Sequence, residues 1–182
     1  MNQTETDELS SLEERKLNIY KEDINLHYPH KWELTHSMDE LMLMKETYED
    51  GAKDTDTEAS FAGRIILKRP SGKNLCFYTL KKDGKIIQLA SSKKDYEGDE
   101  FRQINKSIHR GDIVGIRGYM GKTHKGELTI FARKLQILAP CYQMLPKSFQ
   151  RLVNTDVRYS KRHLDLIVND DVREIFLTRS TV

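Results

Sequence analysis

Hydrophobic positions change their spacing along the chain, and each change predicts a different element. From Ser10 to Ile24, the residues Leu12, Leu17, Tyr20 and Ile24 fall roughly on one helical stripe, with Ser10 and Glu13 at capping-box spacing. Pro29 in "HYPHKW" interrupts helicity, and "SMDELMLMKETY" restarts it with Ser37 and Glu40 again three apart. Met38, Met42 and Met44 in that stretch read as ordinary packing residues. Residues 49–60, "EDGAKDTDTEAS", are polar and predict a loop, which closes an N-terminal helical region over residues 1–58. From Phe61 onward, short apolar runs are punctuated by glycine and charge. "FAGRIILKR", "NLCFYTLKK", "KIIQLASS", "DIVGIRGYMGK" and "ELTIFARKLQIL" predict five strands. Asp83-Gly84 joins the second and third as a hairpin, and "KTHKGE" joins the fourth and fifth. Between the third and fourth, "DEFRQINKSIHRG" places Phe101, Ile104 and Ile108 on one helical face, with Gly111 where a C-terminal glycine cap is expected.

Three strands, a helix and two further strands is the order of an OB-fold, a small five-stranded Greek-key barrel whose face binds oligonucleotides or oligosaccharides. The expected architecture is therefore mainly β with helices: N-terminal helices, a barrel over residues 59–144, and a third segment over residues 145–182. In that last segment Asp171 and Glu174 have capping-box spacing, and Val172, Ile175, Phe176 and Arg179 continue as the first turns of a helix. The chain reaches Val182 with no glycine and no polar tail, so the segment reads as the start of a further domain.

Composition narrows the partners less than the pattern does. The 182 residues suit one domain with appendages, and 30 lysines and arginines nearly balance 28 aspartates and glutamates. Net charge thus advertises no polyanion, and any basic surface must be local. Cys76 and Cys141 lie far apart without a Cys-x-x-Cys or a histidine pair, which argues against a zinc site or a disulfide framework; no metal site is expected, and a reducing setting fits. The acidic, polar start "MNQTETDELSSLEER" is unlike a signal peptide, and no run approaches membrane-spanning length, so a cytoplasmic protein with no membrane partner is expected.

One apparent motif fails on its register. "GIRGYMGKT" looks like a phosphate-binding loop, but that motif would need glycine at the position of Ile116, and Thr123 leads into a hairpin rather than a helix. The six histidines are scattered, and no catalytic arrangement is visible. What the strands do carry is a mixture of cations and rings: Arg64, Lys68 and Arg69 on the first, Lys73, Phe77 and Tyr78 on or beside the second. If Cys76, Tyr78 and Leu80 point inward with Ile87, Leu89, Leu128 and Ile130, period-two alternation sends Phe77, Gln88 and Glu127 outward. A ring that stacks on a base, with an amide and a carboxylate to read its edge, is what single-stranded nucleic acid recognition requires, and arginines or lysines beside it would hold phosphates. With the parity reversed Phe77 would be a core residue, and from spacing alone Glu127 beside Gly126 could equally be a turn residue.

The chain resembles the N-terminal part of the lysyl-tRNA synthetases, class II aminoacyl-tRNA synthetases, from about Glu13 to Val182. The most specific matches are Leu145-Pro146, Arg158-Tyr159, Leu164 to Ile167, and Arg173, Phe176, Arg179 and Ser180 in the pattern that begins motif 1. "YPHKW", "AGRI", "FYTL", "RGDIVGIRGYMGKTHKGEL" and "LAPCYQMLPK" add to it and look most like the eukaryotic cytosolic branch. Ser160 and His163 depart from the family, standing where a basic residue and a phenolic ring are usual. The resemblance implies an anticodon-binding OB-fold in which Phe77 stacks on the central anticodon uridine, Gln88 and Glu127 read it, and Arg69 contacts the anticodon loop. Arg64, Lys68 and Lys73 are candidate phosphate contacts, and Arg173, Phe176 and Arg179 candidate dimer residues of motif 1. It further implies a longer homodimeric protein that activates lysine with ATP and Mg2+ and transfers it to tRNA(Lys). Residues 1–182 would then bind tRNA but hold no catalytic residue or cofactor, since motifs 2 and 3 are not reached. An aspartyl- or asparaginyl-tRNA synthetase shares the barrel and the central uridine, and a free-standing OB-fold adaptor for single-stranded nucleic acid fits residues 61–140 equally well.

Overall fold

A strand that alternates apolar and polar residues can bury one face only if its sheet curls or stacks, and here the sheet curls shut. The computed structural model describes residues 13–15, 28–143, 145 and 152–182, and it divides into two units, one running to residue 144 and one from Leu145 to Val182. In the first unit α1 (Met38–Leu43) and a 3-10 turn (Met44–Glu46) precede β1 (Lys53–Pro70), β2 (Leu75–Lys82) and β3 (Lys85–Ser92). α2 (Phe101–Ser107), β4 (Ile113–Lys122) and β5 (Leu128–Ala139) follow. The strands close in the order β1-β2-β3-β5-β4, with β4 returning to β1 and only the β3–β5 pair parallel. This is the five-stranded barrel with a helix between the third and fourth strands that the element order predicts. Of the helix expected over residues 10–24, only Glu13–Arg15 are described, and they are helical.

The predicted inward set is the core. Cys76, Tyr78, Leu80, Ile87, Leu89, Leu128 and Ile130 are all buried, joined by Phe61, Ile65, Val114 and Ile116. The Tyr78 hydroxyl donates to Asn105 Oδ1 at 2.7 Å, and the Asn105 amide donates to Ser91 Oγ and to the Phe101 carbonyl. α2 therefore sits on the barrel through a satisfied polar network, not only through Phe101 and Ile108. The α1 cap is also as predicted: Glu40 N–H donates to Ser37 Oγ, and Ser37 N–H donates to the Glu40 carboxylate.

Two expectations are corrected. Residues 53–60, read as part of a loop, are the first half of β1, paired with β4 from Lys53↔Gly121 to Ser60↔Arg117. Their side chains from Thr55 to Glu58 are exposed, so no apolar alternation marks them; the ladder shifts register between Asp54 and Glu58, where the Arg133 guanidinium donates to the Thr55 carbonyl and Thr57 N–H donates to the Asp54 carboxylate. Gly111 is not the cap of α2: the helix ends at Ser107, Ile108 is extended, and Gly111 turns the chain at φ 97° three residues later, donating to the Ile65 carbonyl. Residues 115–122 of "GIRGYMGKT" are strand and Thr123 opens the turn after it, not a helix; a Cβ at Gly118 would collide with the Phe131 carbonyl oxygen and one at Gly115 would enter the Trp32 ring.

One carboxylate gathers the ends of the barrel. Asp112 is fully buried and accepts both terminal nitrogens of Arg15 at 2.8 and 3.0 Å. It also accepts the backbone N–H of His109 at 2.8 Å and of Cys141 at 2.7 Å. Four donors satisfy a charge that would otherwise be costly to bury.

Among its described residues the second unit holds three helices, α3 (Thr155–Ser160), α4 (Arg162–Val168) and α5 (Asp170–Thr181). Asn154 caps α3 by accepting from Asp156 and Val157. α5 starts two residues earlier than predicted, with Asn169 in place of Asp171 at its N-cap position and no side-chain cap bond there, so the expected Asp171–Glu174 box does not form. The Asn169 side chain is used elsewhere, donating to the buried Asp165 and to the Leu152 carbonyl. Arg158 and Arg162 also donate to Asp165. Burial pushes the Asp165 carboxyl upward, but the Asn169, Arg158 and Arg162 contacts outweigh it and hold the group below the usual carboxylate range.

Asn105→Ala is expected to destabilise the barrel by about 1–3 kcal/mol for each buried partner left unmatched, read by urea unfolding with the fluorescence of Trp32, the single tryptophan. In the second unit the lowered Asp165 pKa contributes stability that is fully present above the ordinary carboxylate value of about 4 and is lost as pH falls through the folded value. Amide protection factors across residues 152–182, corrected for the intrinsic exchange rate at each pH, are expected to fall on acidification, and Asp165→Asn to abolish that pH dependence.

Candidate nucleic-acid interface

Barrel closure divides every strand residue into inside and outside, and the outside of β2, β3 and β5 carries the candidate site. Register places Phe77 opposite Ala90, and Ala90 opposite Phe131; Phe131 in turn pairs with Tyr119 on β4. Ala90, Phe131 and Tyr119 form a second apolar cluster with Phe77 packed against it. The Tyr119 and Phe131 rings stack at 5.2 Å and 14°. Burial, and then the nearby Asp95 carboxylate, push the Tyr119 hydroxyl up to about 12, so it stays protonated at neutral pH.

One row along, Gln88 stands opposite Thr79 on β2 and Thr129 on β5. Its amide nitrogen donates to Glu127 Oε2 at 2.8 Å, and Thr129 Oγ1 donates to its carbonyl oxygen at 2.9 Å. The two contacts fix which end of the amide is donor and which is acceptor before anything binds. Glu127 is exposed at the end of a turn in which Gly126 adopts φ 75° and Gly126 N–H donates to the Thr123 carbonyl. Phe77, half-buried, is the diagonal neighbour of Gln88 across β2 and β3. Phe77, Gln88 and Glu127 therefore lie together on the outer face.

Register separates Lys68 from Arg69. Arg69 pairs with Phe77 in the β1–β2 ladder and is exposed, on the same face as the ring. Lys68 pairs with the buried Tyr78, and its ammonium donates to the carbonyls of Asn105 and Ile108, which are the end of α2. Burial lowers the Lys68 pKa, the expected direction for a partly desolvated ammonium. Arg64 donates to the Gly111 carbonyl at 2.7 Å. Lys68 and one nitrogen of Arg64 are thus bonded within the domain, whereas Lys73 is exposed on the β1–β2 turn.

Thr129, Phe131 and Tyr119 belong to the same surface and are not singled out by sequence pattern. Leu128 to Ala132 are all buried, an unbroken run in which alternation cannot be read. Over this row lies a groove of about 340 Å3, floored by Phe77, Ala90 and Phe131, with Lys53, Lys94 and Lys122 on its rim. In the second unit the candidate dimer residues sit on α5, Phe176 exposed and Arg173 and Arg179 on the same helix. The Arg162 guanidinium lies over the rings of Phe176 and Tyr159, at 5.4 and 4.9 Å. Among the described residues no group of three or more His, Cys, Asp or Glu is placed to hold a metal ion, and no helix is long and apolar enough to cross a membrane.

Residues 59–138 match the tRNA anticodon family, described as an OB-fold nucleic acid binding domain. The chain is 35% identical over 173 residues to a lysine–tRNA ligase of Cladosporium cladosporioides, covering 92% of the chain and 29% of the relative. It is 36% identical over 158 residues to the chloroplastic/mitochondrial lysine–tRNA ligase of Arabidopsis thaliana, covering 85% and 26%. Against the lysine–tRNA ligase of Nostoc punctiforme it is 34% identical over 164 residues, covering 85% and 28%. The chain thus spans between about a quarter and a third of the length of these relatives.

Glu127→Ala is expected to release Gln88 on one side only. The two Gln88 side-chain amide proton signals should lose dispersion in the NMR spectrum while the fold, read from backbone shifts, is unchanged.

Proposed function

Residues 59–138 are an OB-fold nucleic acid binding domain of the tRNA anticodon family, and from that premise we propose that this chain is the anticodon-reading part of a lysine–tRNA ligase. The observation that carries the reading is the outer-face set of Phe77, Gln88 and Glu127, already ordered by the Gln88–Glu127 and Gln88–Thr129 bonds. A base stacks on the Phe77 ring. Its edge meets a carboxylate that accepts an N–H and an amide that presents both a donor and an acceptor. Uridine offers an N–H at N3 between two carbonyl oxygens, which suits this pair; cytidine offers a bare ring nitrogen there and would leave Glu127 facing a lone pair. Arg69, exposed beside Phe77, and Lys73, on the adjoining turn, supply positive charge to the anticodon loop.

In this reading the partner is tRNA(Lys), with the central anticodon uridine on Phe77. The catalytic step belongs to the longer protein: activation of lysine with ATP and Mg2+ and transfer to tRNA use residues beyond those present, and residues 1–182 alone catalyse nothing. Phe176, with Arg173 and Arg179 on α5, forms part of a homodimer contact in that protein. A cytoplasmic setting is consistent with the free thiols of Cys76 and Cys141.

Phe77→Ala is expected to weaken binding to an anticodon stem-loop bearing three uridines by about 1–3 kcal/mol without unfolding the domain, measured by fluorescence titration; equal affinities would reject the stacking role. Arg69→Ala should lower the salt dependence of binding by about one unit of slope, whereas Lys68→Ala should chiefly lower thermal stability, because its ammonium is bonded to α2.

A further inference from the structure

Phe77 and Gln88 are fixed by strands, but Glu127 sits on the turn between β4 and β5, so its place depends on what holds that turn. Within the turn, Thr123 N–H donates to the Glu127 carbonyl, Glu127 N–H to Thr123 Oγ1 and Gly126 N–H to the Thr123 carbonyl. Those bonds shape the turn without fixing how it leans against the outer face. A separate segment, residues 48–52 between the 3-10 turn and β1, runs against it. Lys122 N–H donates to the Ala52 carbonyl at 2.9 Å, Gly51 N–H to the Thr123 carbonyl at 3.3 Å, and the Lys122 ammonium to the Tyr48 carbonyl at 2.6 Å. Gly51 adopts φ 83°, and a Cβ there would stand 2.7 Å from His124 Nδ1, so the imidazole lies where only glycine leaves room. Asp50 lies beside Gly126, where a Cβ would be 3.2 Å from the Asp50 carboxylate. The segment is itself anchored: Tyr48 packs against the barrel core, its hydroxyl donates to Asp54 Oδ2 at 3.3 Å, and Ala52 N–H donates to the Glu49 carbonyl.

We propose that residues 48–52 are a bracket that sets the direction of Glu127, so that the preference for uridine over cytidine is fixed in part by a segment outside the match of residues 59–138. The proposal rests on the anticodon reading. Gly51 and Lys122 are positioning residues in it, acting on the base through Glu127. The Gln88 amide reaches Glu127 across 2.8 Å. A turn that leans away by about 1 Å breaks that bond and carries the carboxylate off the N3–H of the base, while the Phe77 ring on β2 stays in place. Loss of the bracket therefore costs discrimination rather than stacking.

The test compares stem-loops with uridine or cytidine at the central anticodon position, titrated against residues 1–182 and the variants Glu127→Ala, Gly51→Ala and Lys122→Met. Trp32 fluorescence and circular dichroism confirm that each variant is folded. Gly51→Ala sets a Cβ against His124, and Lys122→Met removes the tie to the Tyr48 carbonyl while keeping a long apolar side chain. The two stem-loops carry the same phosphates, so a changed phosphate contact cancels in the ratio of their affinities. Glu127→Ala should lower the uridine preference roughly tenfold, the worth of one hydrogen bond to a charged group, and each bracket variant should lower it about three- to tenfold. In a Glu127→Ala background neither bracket variant should lower it further, whereas general loosening of the barrel would weaken both stem-loops alike and leave the ratio unchanged. The proposal falls if the folded bracket variants keep the parent's preference, or if they lower it equally with and without Glu127. Should Gly51→Ala fail to fold, Lys122→Met decides alone. If Glu127→Ala itself keeps the preference, it is the anticodon reading that fails, and the bracket's role in it falls with that reading.

Discussion

A tyrosine hydroxyl inside an apolar barrel must find a partner, and much of this domain is arranged around the one that Tyr78 has. Its bond to Asn105 brings α2 against the barrel, and the Asn105 amide carries the link on to Ser91 of β3. Lys68, opposite Tyr78 on β1, reaches the same helix through two carbonyls. Three strands are thereby referred to one helix end, and β2 cannot slip by a residue without driving Tyr78 out and Phe77 in. The position of the surface ring is a consequence of the buried one beside it.

That coupling explains why the outer face could be read from sequence at all. Wherever strands alternate cleanly, as in Cys76 to Leu80 and Ile87 to Leu89, parity in the sequence is parity in space. Where it does not alternate, the reading fails for a definite reason. Residues 53–58 carry polar side chains, exposed apart from the half-buried Asp54, so their strand character resides in backbone bonds that no side-chain pattern reports. Leu128 to Ala132 are buried on both faces, so Phe131 is hidden among core residues although it belongs to the surface row. Lys68 and Arg69 are adjacent and chemically alike, and only the register against Tyr78 and Phe77 reveals that one serves the fold and the other faces outward. The Gln88–Thr129 contact joins residues from strands that are parallel neighbours only because the barrel closes, a pairing invisible in linear order.

The outer face is built for recognition with little rearrangement. Its polar groups are on strands or, for Glu127, on the turn just before β5, their donors and acceptors assigned by bonds to one another, and its rings rest on Ala90 and on each other. Such a surface loses little side-chain entropy on binding, which favours discrimination between closely similar bases over raw affinity. The similarity to lysine–tRNA ligases and the match of residues 59–138 to the anticodon family agree with a surface of this kind.

Asp112 also bears on how the barrel would respond to force. Arg15, before the first strand, and Cys141, just after the last, meet at the same carboxylate. A pull on either flank therefore bears on that one carboxylate, which lies one residue before β4. The spacing between Phe77, Gln88 and Glu127 is set at a distance from it, by β2, β3, β5 and the turn that precedes β5.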